Sequence, residues 1–194
     1  MKTSDCAELK ACIEPHFSLS DEMFAQLSAE ATVVRVAASD ILHHQNEHPA
    51  SIYFLSSGLL YAYFETSEGK LFCKEMYWDH DLVFCFRSLI RNVPLRYAIK
   101  AIEPSKLFAV PVKRYRELVQ EHSELQRFHT AVVSEYYMYK EDKEAFLLLH
   151  TPEQQVALFF EYYPELVGRV PQHVIASYLG ITPISFSRIK QRLK

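Results

Sequence analysis

Residues 171–194 of the chain read PQHVIASYLGITPISFSRIKQRLK, which has the pattern of two short helices joined by a tight turn. Proline suits the first turn of the first helix, because the N–H that it lacks would have no partner there. Gly180 ends this helix, since glycine tolerates the left-handed backbone conformation found at helix ends. Thr182 caps the second helix and Pro183 opens it. The sequence therefore predicts a helix-turn-helix, with a first helix over about 171–179.

The charge of this stretch points to a polyanionic partner. Residues 166–194 contain five basic side chains and no acidic one, and four of the five lie in or just after the second helix: Arg188, Lys190, Arg192 and Lys194. The whole chain has 21 Lys and Arg against 24 Asp and Glu, so residues 1–165 carry a balance of −8 and residues 166–194 one of +5. A phosphate backbone would attract the second part and repel the first. We therefore predict that the second helix enters a DNA major groove. The alternative is an ordinary pair of terminal helices with a solvated basic face.

A resemblance supports the first interpretation. Residues 170–194, VPQHVIASYLGITPISFSRIKQRLK, resemble the DNA-binding end of the Crp/Fnr transcription regulators, above all a branch that reads approximately VPQ..IASYLGITPETLSRIR. The match is dense over this stretch, and the rest of the chain follows the family's order more loosely. The resemblance implies a homodimer that binds double-stranded DNA, with RNA polymerase as a further partner.

The resemblance also bears on which residues read DNA. Members of the best-known type read bases with an Arg-Glu-x-x-x-Arg arrangement on the second helix, and here Pro183 and Ile184 take the first two positions while Arg188 matches the third. An arginine at that place can bond both acceptors of a guanine. The predicted DNA-binding residues are Gln172, Thr182, Ile184, Ser185, Arg188, Lys190, Arg192 and Lys194. Because the sequence ends directly after this helix, we expect the β-wing of winged-helix proteins to be reduced or absent.

The middle of the chain is rich in strand-forming residues. Between about residues 32 and 111, short runs of β-branched and aromatic residues alternate with turn residues: ATVVRVA (31–37), SIYFLSSG (51–58), LLYAYFET (59–66), KLFCKEMYW (70–78), YAIKAIE (97–103) and KLFAVP (106–111). Strands at this spacing indicate an antiparallel sandwich or barrel. The resemblance implies a double-stranded β-roll, a jelly-roll-like domain of the cyclic nucleotide-binding type.

Helical patterns flank the strands. Two short helices precede them, with Ser20 as the N-cap of the second. After residue 112 a short helix is followed by a long one, which Ser123 is predicted to cap and which runs to about His150. Apolar residues recur along the long helix at steps of three, four and seven: Leu125, Phe128, Val132, Tyr136, Tyr139 and Phe146. This stripe fits either a helix lying on its own β-roll or a dimer interface, and the length and near-heptad spacing favour the dimer interface.

These patterns predict an α+β protein in three parts. Residues 1–122 form a β-roll sensor domain with flanking helices, residues 123–150 a long dimerisation helix, and residues 151–194 a helix-turn-helix domain. The junction near His150 and Thr151 is the predicted hinge.

The expected cyclic-nucleotide motif is degenerate. Family members that bind cAMP carry a Gly-Glu pair and a phosphate-binding Arg, whereas Phe84 and Cys85 stand at the pair and Leu95 at the arginine. A shift by one residue would place Arg96 there, but the ribose acceptor would still be missing. We therefore expect an effector other than cAMP, and no cofactor. Candidate pocket residues are Cys85, Arg87, Arg96 and Tyr97.

Several other classes of protein find little support. No run is long and apolar enough to cross a bilayer and the N-terminus is no signal peptide, so we expect a cytoplasmic protein without membrane contact. Cys6 and Cys12 are too few for the family's iron–sulfur cluster. His43 and His44 are adjacent and would face opposite sides of a strand, so no metal site is assigned. Enzyme motifs such as a P-loop, GxSxG or HExxH are absent, and no catalytic residue is predicted. The remaining alternative is a cytosolic small-molecule or cyclic-nucleotide sensor whose C-terminal helices contact a protein partner.

Overall fold

A computed structural model gives the structure of residues 2–193. This part of the chain forms eight α-helices, one 3-10 helix and eight strands. The helices are α1 (Thr3–Ile13), α2 (Asp21–Ala29), α3 (Phe86–Arg91), α4 (Val112–Glu121), α5 (Ser123–Leu149), α6 (Pro152–Tyr162), the 3-10 helix (Pro164–Leu166), α7 (Gln172–Tyr178) and α8 (Pro183–Arg192). The strands are β1 (Thr32–Val36), β2 (Ile41–His43), β3 (Ser51–Ser57), β4 (Leu59–Glu65), β5 (Leu71–Trp78), β6 (Leu82–Val83), β7 (Ala98–Ala101) and β8 (Ser105–Pro111).

The strands form two antiparallel sheets, which confirms the predicted β-roll. One sheet has the strand order β1-β8-β3-β6 and the other β2-β7-β4-β5. Side chains of both sheets share one apolar core, including Leu55 of β3, Leu107 of β8, Leu60 of β4 and Ile99 of β7. The short strands β2 and β6 are missing from the predicted set, because two or three residues are too few to show an alternating pattern.

A second core covers the other face of the first sheet. Successive strand residues point to opposite faces, so Phe54 of β3 lies in this outer core while its neighbour Leu55 lies between the sheets. Helices α1, α2 and α4 and the first half of α5 supply the rest. As predicted, Ser20 caps α2, and its hydroxyl accepts a hydrogen bond from the Met23 N–H at 3.3 Å.

The long helix α5 differs from its prediction in two ways. Ser123 is the first helical residue rather than the cap, because the preceding His122 has the extended backbone of an N-cap and makes no side-chain capping bond. The predicted dimer stripe packs on the chain itself. Leu125, Phe128 and Val132 are buried in the outer core, and Phe146 packs on a third core near the C-terminus.

The remaining stripe residues, Tyr136 and Tyr139, also contact the chain's own β5. The Tyr136 hydroxyl accepts a hydrogen bond from Lys74 at 3.0 Å, and Tyr139 donates one to Glu75 at 2.6 Å. The near-heptad period thus identifies a common helix face, and the chain itself packs against that face and buries Leu125, Phe128 and Val132. The assignment of the stripe to a dimer interface stays a prediction.

The third core joins the C-terminal helices to the β-roll. It consists mainly of side chains from α6, the 3-10 helix, α7 and α8, and it also includes Leu59 of β4 and Met76 of β5. We call residues 152–193 the reader helices. Since their core extends into the sheet, they are docked on the β-roll in this structure.

The junction between α5 and α6, where the sequence predicts a hinge, is held by several hydrogen bonds. Thr151 and Gln154 form a capping box at the start of α6. The buried Gln155 amide donates to the carbonyls of Leu147 at 3.0 Å and His150 at 3.1 Å, at the end of α5. These bonds fix the direction in which α6 leaves α5. Between residues 2 and 193, no helix is both long and apolar enough to span a membrane.

Candidate nucleic-acid interface

The turn between α7 and α8 has the backbone geometry of a Schellman motif. Gly180 adopts a left-handed φ of 69°. The Ile181 N–H bonds the Ala176 carbonyl at 2.9 Å, and the Gly180 N–H bonds that of Ser177 at 3.2 Å. These two bonds satisfy carbonyls that the end of a helix leaves without partners. Gly180 therefore ends α7 as the sequence predicts.

The start of α8 is also as predicted. The Thr182 hydroxyl accepts the Ser185 N–H at 3.1 Å and lies 2.9 Å from the Ser185 hydroxyl. Phe186 and Ile189 are buried against the other reader helices and fix the rotation of α8. One face of α8 is therefore turned to solvent.

That exposed face carries the best candidates for base contact. Ile184, Arg188 and Gln191 are exposed and follow one another at i, i+4 and i+7, so they share one side of the helix. Ile184 is 66% exposed. Gln191 is missing from the predicted set, although its spacing from Arg188 could have identified it. An arginine and a glutamine can both bond base edges, and an isoleucine can pack on a thymine methyl group.

The other predicted DNA-binding residues lie around this face. Gln172 and Thr182 are exposed at the starts of α7 and α8, Ser185 and Lys190 are half-buried, and Arg192 is exposed. Lys194 lies outside the residues that the structure describes. Arg192 forms an ion pair with Glu153 of α6 at 2.9 Å. DNA phosphate would have to compete with this carboxylate.

Arg169, the fifth basic residue of the C-terminal stretch, is used within the chain. Its guanidinium lies 2.8 Å from carboxylate oxygens of both Asp79 and Glu103 and also bonds the Gly58 carbonyl. The Gly58 N–H and Arg169 hold the pKa of Asp79 below its ordinary value, against the burial that would raise it. Arg169 therefore attaches the reader helices to the β-roll rather than contributing to the exposed basic face.

A second attachment surrounds Glu75, which is almost fully buried in β5. Lys140 and Lys143 of α5 flank its carboxylate, and Tyr139 donates a hydrogen bond to it. The Tyr139 hydroxyl also lies 2.7 Å from the hydroxyl of Tyr178 in α7. Burial lowers the pKa of Lys143 to about 8. Burial opposes the ionisation of Glu75, yet the two lysines outweigh it and lower its pKa.

A third contact joins α7 to the edge of the sheet. The Ser177 hydroxyl accepts a hydrogen bond from the Cys73 N–H at 2.8 Å, which satisfies an unpaired donor of edge strand β5. The sequence gives no local signal for any of these attachments, because the partners are 39 to 111 residues apart along the chain.

The cyclic-nucleotide positions are closed. Phe84 and Cys85 are buried, and Leu95 is only 2% exposed in the core between the sheets. Arg96, next in sequence, is exposed. The residue aligned with the phosphate-binding arginine therefore points into an apolar core, and the shifted alternative points to solvent.

Of the four predicted pocket residues, two are exposed and two lie in the interior. Arg87 is exposed and contacts the Pro94 carbonyl at 3.5 Å, and Arg96 is exposed as well, so neither lies in the interior. Cys85 and Tyr97 do share the interior, where burial raises the pKa of Tyr97. The Tyr97 ring packs on Phe64, with ring centroids 5.9 Å apart, and on the Lys74 ammonium at 4.6 Å. Among residues 2–193 no cluster of His, Cys, Asp and Glu could hold a metal ion.

Comparisons with known proteins agree with this architecture. Residues 33–122 match the family described as the cyclic nucleotide-binding domain. FixK2 from Bradyrhizobium japonicum superposes with a TM-score of 0.73 at 19% identity, over 84% of each chain. A protein of Eubacterium rectale assigned to the Crp/Fnr family of transcriptional regulators superposes with a TM-score of 0.74 at 16% identity, over 90% of this chain and 83% of its own.

A third solved structure covers the entire chain. DNR from Pseudomonas aeruginosa superposes with a TM-score of 0.60 at 21% identity, over 100% of this chain and 88% of its own. A search of curated protein sequences finds no significant match. Residues 33–122 thus match the cyclic nucleotide-binding domain, and the chain as a whole shares its fold with these solved structures, one of which is assigned to the Crp/Fnr family.

Proposed function

We propose that the chain is a homodimeric, sequence-specific DNA-binding transcription regulator of the Crp/Fnr type that responds to an effector other than a cyclic nucleotide. The observation that carries the proposal is the solvent-facing side of α8, with Ile184, Arg188 and Gln191 in one row and Arg192 beside them. A helix that exposes an apolar group, an amide and guanidinium groups together matches the chemistry of a major groove. The Eubacterium rectale regulator with the same fold supports it.

The proposed dimer interface is the exposed side of α5, opposite the stripe that packs on the chain itself. The opposite side of α5 exposes large apolar side chains: Tyr137 (62%), Met138 (55%), Leu148 (76%) and Leu149 (78%). The small Ser134 and Ala145 lie on the same side at helical spacing and would allow a second helix to approach closely. A second copy of α5, packed against this face, would remove the apolar groups from water.

The effector is proposed to differ from cyclic nucleotides because their binding groups are missing. A cyclic phosphate needs a cation and a ribose needs an acceptor. Buried Leu95 and Cys85 supply neither, and Tyr97 nearby packs on Phe64.

The test begins with selection of bound duplexes from a genomic fragment library. The affinity for a selected duplex and for a scrambled duplex is then measured at several salt concentrations. We expect the affinity for the selected duplex to be at least about a thousandfold higher than the affinity for the scrambled one. We also expect the logarithm of the association constant to fall by about 0.9 per phosphate contact for each tenfold rise in salt.

The same measurement addresses the alternative that the C-terminal helices contact a protein. If no duplex is enriched, and binding to any duplex is weak over the whole salt range, the DNA-binding proposal fails and the protein-partner alternative is favoured. Calorimetry with millimolar cAMP should show no specific heat, and a micromolar dissociation constant would overturn the effector part of the proposal.

A further inference from the structure

A half-open cleft lies between the end of β5, the β5–β6 turn and the middle of α5. Its volume is about 380 Å³, within the range of about 300–1,000 Å³ that is common for small-molecule sites. It is lined by Pro15, His16, Glu75, Met76, Tyr77, Trp78, Asp79, His80, Asp81, Leu82, Phe86, Val132, Glu135, Tyr136 and Tyr139. Phe84, Cys85 and Leu95 are not among these residues, so the cleft is separate from the positions of a cyclic-nucleotide site.

The walls of the cleft are apolar and aromatic. Trp78, Tyr77, Phe86 and Tyr136 are large ring systems, and Phe86 and Tyr136 pack on each other with centroids 5.1 Å apart. Such walls favour a ligand with a flat or apolar body. Tyrosine and tryptophan faces also attract cations.

The ionisable groups of the cleft select the charge of the ligand. Four carboxylates line the cleft: Glu75, Asp79, Asp81 and Glu135. Within the described part of the chain, no lysine or arginine lines it. Three of them have partners, since Lys140 and Lys143 flank Glu75, Arg169 binds Asp79, and His16 bonds Glu135 at 2.6 Å. The lining of the cleft therefore presents an incoming ligand with carboxylates and with no lysine or arginine side chain of its own.

Asp81 is the carboxylate without such a partner. Its side chain accepts a hydrogen bond from the Leu82 N–H at 2.9 Å. No lysine, arginine or histidine between residues 2 and 193 forms an ion pair with it. A half-buried carboxylate beside aromatic rings is a ready acceptor for an ammonium group.

We infer that this cleft binds a small organic cation, with an aromatic or apolar body against Trp78 and Tyr136 and an amine on Asp81. The inference rests on the proposed function for its regulatory meaning, because it names the chemical class of the effector. The cleft lies beside the contacts that hold the reader helices. Glu75 bonds Tyr139, which bonds Tyr178 of α7, and Asp79 bonds Arg169. A ligand in the cleft therefore touches both attachments of the reader helices.

Three probes of one shape and different charge test the inference: phenethylamine as the cation, phenethyl alcohol as the neutral form and phenylacetate as the anion. Trp78 is the single tryptophan of the chain and lines the cleft, so its emission reports occupancy. At pH 8 we expect saturable quenching or enhancement by phenethylamine, with an affinity at least about tenfold above that for phenylacetate. No saturable change with phenethylamine, or equal or tighter binding of phenylacetate, overturns the inference.

A pair of isosteric variants locates the charge. Asp81→Asn keeps an oxygen acceptor for the Leu82 N–H but removes the negative charge, and we expect it to lower phenethylamine affinity about tenfold while leaving phenethyl alcohol unchanged. The matched control is Asp142→Asn, an exposed carboxylate of α5 outside the cleft, which should change neither. Wild-type amine affinity in a folded Asp81→Asn protein would contradict the inference.

The readout keeps this inference apart from the proposed function. Trp78 emission needs no DNA, so amine binding without any enriched duplex supports the cleft and refutes the regulator. Enriched duplexes without amine binding support the regulator and refute the cleft.

Discussion

Arg188 lies in the centre of the exposed row on α8, between Ile184 and Gln191, and no residue of the described chain forms an ion pair with it. We predict that Arg188→Ala lowers affinity for the selected duplex by about 1–3 kcal/mol and relaxes the preference at one base pair per half-site. Fluorescence anisotropy on duplexes carrying each base at that position measures both effects.

Arg192→Ala serves as the comparison. Arg192 lies beside the row rather than in it, so we expect it to contact phosphate, in competition with its partner Glu153. Its loss should then weaken selected and scrambled duplexes alike. The salt slope should fall by about one. Equal losses on both duplexes for Arg188→Ala would instead make Arg188 a phosphate contact and move base recognition to Gln191 or Ile184.

Asp81 provides a test of electrostatics in the cleft. Burial raises its pKa to about 6, from 3.8 for an ordinary aspartate. The folded state therefore binds more protons than the unfolded state between these values, so the free energy of unfolding falls as the pH rises from 3.8 to about 6 and stays lower above that. Asp81→Asn should raise that free energy at pH 7.5 by about 1–2 kcal/mol, less than in a sealed site because water reaches the cleft.

The gain should shrink as the pH falls below about 6, be small near pH 4, and vanish at lower pH, where the carboxyl is protonated in both the folded and the unfolded state. Urea unfolding of the wild-type protein and of Asp81→Asn, at pH 7.5 and near pH 4, measures this gain. Buried histidines such as His43 titrate in both proteins, so their effect cancels in the difference. A gain that is the same at both pH values would show that packing, not charge, is responsible.

At the scale of elements, α5 decides assembly. Replacing Met138 and Leu149 with Glu places charges in the proposed interface, so we predict monomers in sedimentation velocity and weak binding to palindromic duplexes. Tyr162→Glu adds a charge at an exposed aromatic of α6 and should leave the assembly unchanged. A persistent dimer in the double variant would place the interface elsewhere. Val132→Glu would instead destabilise each chain, because Val132 is buried in its own outer core.

The elements themselves were predictable wherever a local signal exists. Thr182, Pro183 and Gly180 specify the ends of α7 and α8 through capping and turn chemistry within a few residues. Ser20 did the same for α2. The partner of a helix face has no such signal. The stripe from Leu125 to Phe146 was recognised as one face, but periodicity could not show that the β-roll and the reader helices cover it.

At the scale of the whole molecule, the reader helices are attached to the β-roll through Arg169 and through the Glu75 cluster. Neither attachment could be predicted, because Glu75, Tyr139 and Tyr178 come from three distant elements whose proximity only the fold creates. Arg169 counts toward the basic charge of residues 166–194, yet its carboxylate partners Asp79 and Glu103 occupy it.

We predict that Arg169→Met lowers the free energy of unfolding by about 2–4 kcal/mol, because Asp79 and Glu103 lose a partly buried partner. Arg188→Met, the same change at an exposed site, should alter it by less than about 0.5 kcal/mol. Chemical denaturation measures both, and hydrogen exchange should show faster opening of α7 in the first variant. Equal stability of the two variants would mean that the Arg169 contacts contribute little to docking.

The most direct test of the regulator is a hydroxyl-radical footprint of the purified protein on a selected duplex. Two recognition helices in a dimer should protect two patches about 34 Å apart, one turn of DNA, at the half-sites of a near-palindrome. Methylation of guanine N7 inside each half-site should block binding, since Arg188 is proposed to bond that atom. A single protected patch, or uniform protection without sequence preference, would contradict a dimer that reads DNA with α8.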